Sequence, residues 1–77
     1  MIVSLADVKP GKKVKVARIR GGLGVRQRLS CIGIHPGDSL IVLASGIMRG
    51  PILVSIHGNK VALGRGIASQ VLVEEES

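Results

Sequence analysis

Not one side chain in this sequence is aromatic, and that absence decides what kind of core the chain can build. Phe, Tyr and Trp are all missing from its 77 residues, so the interior has to be assembled from Val, Ile, Leu and Ala. A chain of this length supports one small domain, 1–77, which buries about 60% of the surface its unfolded form exposes. Hydrophobic residues make up 45% of it, too many for a disordered segment. The same absence narrows function. Grooves that hold proline-rich peptides are lined with aromatics, and single-stranded nucleic acid is gripped by stacking on aromatic rings.

The apolar residues fall into short runs with strand periodicity. In Lys12–Ile19, Val14 and Val16 share one face and Lys13 and Lys15 the other. Beyond Val16 the apolar positions become Ala17 and Ile19, a phase slip that predicts a bulge. Ser39–Ala44 is continuously apolar and predicts a strand buried on both faces. Ile52, Val54 and Ile56 alternate, and Gly58-Asn59 predicts a hairpin turn into Val61-Ala62-Leu63. A turn-rich segment spans 45–51, and Gly64–Ser69 has room for one helical turn. The last strand is predicted over Gln70–Val73, followed by a frayed acidic end over 74–77. Ser4-Leu5-Ala6-Asp7 has capping-box spacing and predicts a helical turn before Pro10-Gly11.

The longest helical pattern lies at 25–32. At about 100° per residue, Val25, Leu29 and Ile32 form one narrow stripe. Arg26 and Arg28 flank that stripe on opposite sides, while Gln27 and Cys31 lie on the far face. Gly33 suits the stop position and Pro36 prevents continuation. Five strands with tight turns and one helix predict a mainly β fold, a small and strongly bent barrel.

Net charge is +6, but Glu74, Glu75 and Glu76 supply three of the five acids. Residues 1–73 therefore set eleven Lys and Arg against Asp7 and Asp38, a balance that suits an acidic partner or a well-solvated surface. The single cysteine, Cys31, allows no internal disulfide, in keeping with a reducing cytosol. No signal peptide is recognisable, and the apolar runs fall far short of the roughly 18 residues that insert into a bilayer.

Candidate chemistry is sparse. Gly21-Gly22-Leu23-Gly24 precedes the helix but lacks the Gly-Lys-Ser/Thr ending of a phosphate loop, and reads as a tight strand-to-helix turn. Cys31, His35 and His57 are the soft metal-ligand side chains besides Met1 and Met48. Cys31 and His35 have the spacing of one helix face, but Gly33 and Pro36 interrupt that helix, so a site shared between copies of the chain is the form left open. No motif orders Ser, His and Asp or Cys and His around a reacting atom, so no enzyme activity is expected.

Arg26–Gly37 resembles the Arg-x-Arg/Lys-Leu-x-x-Met/Leu/Ile-Gly-Ile/Leu/Met-x-Pro-Gly segment of the ferrous iron transport protein A (FeoA) family. Leu5 with Pro10-Gly11 resembles the family's opening, and Gly50-Pro51-Ile52 with Val54 its Gly-Pro turn. Val61-Ala62-Leu63-Gly64-Arg65 with Ala68 resembles its closing segment. The resemblance implies a stand-alone SH3-like barrel with an inserted helix. It also implies a cytoplasmic, non-enzymatic accessory of Fe(II) uptake, held at the inner membrane through a FeoB-type transporter that carries a cytosolic G-protein domain. Similar domains end the diphtheria-toxin-repressor-like metal regulators.

Taken with the residues, this makes the helix the expected docking element, with Arg26, Arg28 and Leu29 at the contact. No cofactor is required by this reading. The alternative is a module that responds to Fe(II) or another divalent transition metal, with Cys31, His35 and His57 as candidate ligands. A basic nucleic-acid-binding barrel fits less well, given the missing aromatics and the acidic end. An exposed barrel edge leaves a homo-oligomer open.

Overall fold

The computed structural model describes residues 1–46, 48 and 50–76. Six strands form one antiparallel sheet in the order β1-β6-β2-β3-β4-β5. They are β1 (Ile2–Ser4), β2 (Lys13–Ile19), β3 (Ser39–Ser45), β4 (Ile52–Ile56), β5 (Asn59–Leu63) and β6 (Val71–Glu75). A 3₁₀ turn (Leu5–Asp7) follows β1, helix α1 (Leu23–Cys31) joins β2 to β3, and one-turn helix α2 (Arg65–Ala68) joins β5 to β6. The fold is SH3-like, as expected, and the bent barrel is an open one, with β1 and β5 as the edges of its sheet.

Alternation builds the core. Val14, Val16 and Ile19 of β2 point inward with Leu40 and Val42 of β3, Ile52, Val54 and Ile56 of β4, and Val71 and Val73 of β6. Leu5, Leu29, Ile34 and Ala68 close the ends, and every buried hydrophobic residue is aliphatic. Each buried Val, Leu or Ile side chain contributes about 1.5–3 kcal/mol on burial. The predicted bulge is present. The β2–β6 register shifts between Val16 and Arg18, leaving Ala17 as the extra residue, and Ile19 thereby regains the inner face.

Several expectations need correcting. β3 is buried on one face only: Leu40 and Val42 are interior, whereas Ile41 and Leu43 are 39% and 37% accessible, because no layer covers the sheet's outer face. Among the described residues the strands number six rather than about five, because β1 is too short to show periodicity and exists by pairing with β6. The β4–β5 turn is His57-Gly58, one residue earlier than expected. Both residues have positive φ (50° and 80°), the type I′ pattern, and Ile56 pairs with Asn59 across it.

The acidic end is not frayed through Glu76. Glu74 and Glu75 belong to β6, the Glu76 N–H donates to the Lys13 carbonyl (2.9 Å), and the Ser39 hydroxyl donates to the Glu76 carboxylate (2.7 Å). Lys12 lies 2.7 Å from Glu75, and holds that carboxyl below its ordinary pKa. Residues 47 and 49 of the expected 45–51 turn, and residue 77, lie outside the described residues.

Ser4 caps the 3₁₀ turn as its spacing predicts, accepting from the Ala6 N–H (3.2 Å). Arg65, at the start of α2, donates to the Ala6 carbonyl (3.4 Å) and the Ser45 hydroxyl (3.3 Å), so it ties the 3₁₀ turn to the end of β3. Just beyond, the Gly46 N–H donates to the Pro51 carbonyl (3.0 Å), and the chain passes so closely that a Cβ on Gly46 would sit 2.5 Å from the Gly50 carbonyl carbon. Gly46→Ala is therefore expected to destabilise by about 1–3 kcal/mol, because backbone rather than a flexible side chain must move. Gly64→Ala, whose new Cβ meets open space, serves as the control in the same thermal or urea melts and should lose far less.

Candidate functional site

Helix α1 is the element on which the predicted docking residues meet. It starts at Leu23, two residues before the expected position, because Gly22 is its N-cap and the positive φ of Gly21 (100°) turns the chain into it. Its end is a Schellman stop. The Gly33 N–H donates to the Ser30 carbonyl (3.0 Å) and the Ile34 N–H to the Leu29 carbonyl (2.9 Å), with Gly33 in the left-handed region at φ 84°. Leu29 and Ile34, the residues this motif brings together, are both wholly buried.

That burial corrects one expectation. Leu29 cannot touch a partner; it is the anchor that fixes the helix to the core. Arg26 and Arg28 are exposed on either side of it, as the helical wheel predicts. Arg26 reaches back to the Ile19 carbonyl (3.4 Å), which sets the helix against the end of β2. Ile32 falls at the cap, and is 37% accessible rather than part of a buried stripe.

A groove runs along each side of the helix. One, of about 350 Å³, has an apolar floor of Ile19, Ile34 and Pro36 and a rim of Arg18 and Arg26. The other, of about 310 Å³, lies between α1, β5 and α2, with Leu29, Ile32, Leu63 and Ile67 inside and Arg28 at its rim. Among the described residues no acidic side chain lines either groove. A larger depression of about 390 Å³, at the opposite end of β2, involves Val3, Val8, Lys12 and Glu75 and none of the predicted site residues.

The metal-ligand candidates are arranged differently from any spacing argument. His35, Pro36, Gly37 and Asp38 form a tight turn in which the Asp38 N–H donates to the His35 carbonyl (3.0 Å). Asp38 in return accepts from the His35 N–H (2.8 Å), and its carboxylate lies 3.3 Å from His35 Nδ1 and 3.5 Å from His57 Nε2. His35 Nε2 is 3.1 Å from the Ser30 hydroxyl. Asp38 thus draws His35 and His57 together across 22 residues of sequence, a meeting that only the β4–β5 hairpin brings about. Cys31 is exposed, and among the described residues no group of three or more His, Cys, Asp and Glu side chains is arranged to hold one metal ion.

Ser30, His35 and Asp38 stand in the hydrogen-bonding order of a hydrolytic triad, which no sequence motif revealed. The setting is wrong for that chemistry. Ser30 lies in the last turn of α1, where the negative end of the helix dipole would oppose a developing oxyanion. The arrangement works as a clasp from helix end to turn to hairpin.

A small SH3-like β domain with an arginine-bearing helix set into its sheet defines the class. The family model described as "FeoA domain" matches residues 3–75. A Methanocaldococcus jannaschii protein named for Fe(2+) transport, as transport protein A, is 39% identical over 71 residues, covering 92% of this chain and 84% of that protein. The crystal structure of an iron uptake regulatory protein, FeoA, superposes with a TM-score of 0.90 at 39% identity and covers 99% of both chains. A manganese-dependent transcriptional repressor in complex with manganese gives 0.92 at 30% identity, over 97% of this chain but 37% of its own. The chain belongs to the FeoA family, whose members are associated with ferrous iron transport. No described helix is long and apolar enough to cross a membrane.

The Asp38 clasp has a pH signature. The backbone N–H of His35, above all, holds the Asp38 carboxyl below its ordinary value of 3.8, and desolvation opposes this only in part. A carboxyl lowered by folding stabilises the fold fully above the unfolded pKa, and that contribution drains away as pH falls through the lower folded value. Asp38→Asn keeps an acceptor for the His35 N–H but removes the charge. Its deficit in thermal stability against the wild type should be clear at pH 5 and shrink steadily below pH 3.8.

Proposed function

We propose that this chain is a non-enzymatic accessory of Fe(II) uptake that binds the cytosolic portion of a FeoB-type transporter and modulates it, with α1 as the docking element. The observation that carries this reading is the helix itself: Arg26 and Arg28 stand exposed over a buried Leu29, each at the rim of an acid-free groove. Guanidinium groups presented on a rigid element favour carboxylate partners through paired, charge-assisted hydrogen bonds. The anchor below lets the arginines meet a partner without reordering the helix, which lowers the entropy cost of association. On this reading the protein works in the cytoplasm and reaches the membrane only through its partner.

Arg28→Glu tests the contact. The side chain is exposed, so the fold should be retained, with the melt lowered by only a few degrees because a negative charge then stands in the last turn of α1. Affinity for the purified cytosolic portion of the transporter should fall about ten- to a hundredfold, the equivalent of a lost charge-assisted contact of roughly 1.5–3 kcal/mol. Unchanged affinity removes Arg28 from the interface.

A further inference from the structure

β5 is an edge strand, and its outer side is free. Across the two-residue turn, Ile56 and Asn59 form a hydrogen-bonded pair, and the alternation continues through Val54–Val61 to Ile52–Leu63. Lys60 and Ala62, opposite Ser55 and Leu53, therefore direct their N–H and C=O groups away from β4. Among the described residues no other element bonds to them. Beside this edge lies the groove between α1, β5 and α2, with its apolar interior of Leu29, Ile32, Leu63 and Ile67 and Arg28 at the rim.

We infer that the β5 edge accepts an extended segment of the partner protein as a seventh strand, one in which apolar residues alternate with acidic ones. The backbone of such a segment pairs with Lys60 and Ala62, as edge addition requires. Side-chain alternation then fixes its composition. Residues opposite Val61 and Leu63 fall on the core side, where Ile32 and Ile67 offer apolar surface. Residues on the other face meet Lys60, opposite Ser55 in the sheet, so carboxylates belong there.

Charge complementarity also decides against a second copy as occupant. An antiparallel pair of β5 edges would bring together two chains of net charge +6, with a lysine near the middle of each edge. Edge lysines keep like strands apart. They do not deter an acidic strand. The inference rests on the transporter reading for the partner's identity, and adds the edge, the extended conformation and the sequence pattern.

The test follows amide exchange in the ¹⁵N-labelled full chain, alone and with the purified cytosolic portion of the FeoB-type transporter. The Lys60 and Ala62 amides should exchange at least tenfold more slowly in the complex, while that of Val61, already paired with β4, should change little. Ala62→Pro removes one free donor at an edge where proline is tolerated, and Lys60→Glu inverts the charge. Each should weaken binding tenfold or more with an unchanged melt. Exchange on the unsubstituted chain decides the matter should Ala62→Pro fail to fold. Binding that leaves the Lys60 and Ala62 amides unprotected overturns the edge inference and leaves the transporter reading standing. Absence of binding by the unsubstituted chain removes both. Protection already present in the isolated chain, with a dimer in sedimentation, gives the edge to a second copy and overturns the inference.

Discussion

Leu29 holds helix α1 and the grooves beside it in place. It is the one fully buried residue of α1, and the glycine stop at Gly33 turns the chain so that Ile34 packs into the same core. Without that side chain the helix would be held by half-buried Val25, the long Arg26 contact and the Ser30–His35 clasp, with no fully buried anchor. Both grooves, and the opposite orientation of Arg26 and Arg28, depend on this attachment. A helix of nine residues is too short to be stable by itself, so its form is set by packing and its ends by glycine.

The aliphatic composition shapes the rest. With no aromatic side chain to fill space, the interior is closed by many small contacts from alternate residues of five strands, two chain turns and the helix. Such a core tolerates little local displacement. The bulge at Ala17 bends β2 so that the strand can pair with β6 on one side and with both β3 and the 37–38 turn on the other.

What was legible in the sequence was whatever local chemistry decides. The Ala17 slip, the Ser4 cap, the Gly33 stop and the flanking positions of Arg26 and Arg28 all follow from neighbours within a turn or a strand. What was not legible needed distant chain. β1 exists only through its pairing with β6, and the acidic end is ordered by Lys12, Lys13 and Ser39 rather than by its own composition. Composition alone suggested two buried faces for β3, because a continuous apolar run does not say whether a second layer exists. The partnership of His35 and His57 at Asp38 was invisible for the same reason, since the hairpin that carries His57 approaches from another part of the chain. The docking role assigned to Leu29 failed on the ambiguity inherent in an amphipathic stripe: one apolar face serves a core or a partner, and here the core takes it.

The ordering of the acidic end carries a further consequence. Glu75 and Glu76 sit against Lys12 and Lys13 at the start of β2, while Arg18, Arg20 and Arg26 stand near its finish, a strand length of about 20 Å away. Neutralisation at one end and an arginine cluster at the other give the molecule a lasting electric polarity, not merely a positive sum. In the field of an acidic surface such a body feels a torque that turns its arginine end forward. A substitution in the final strand could therefore slow encounter without altering any residue at the point of contact.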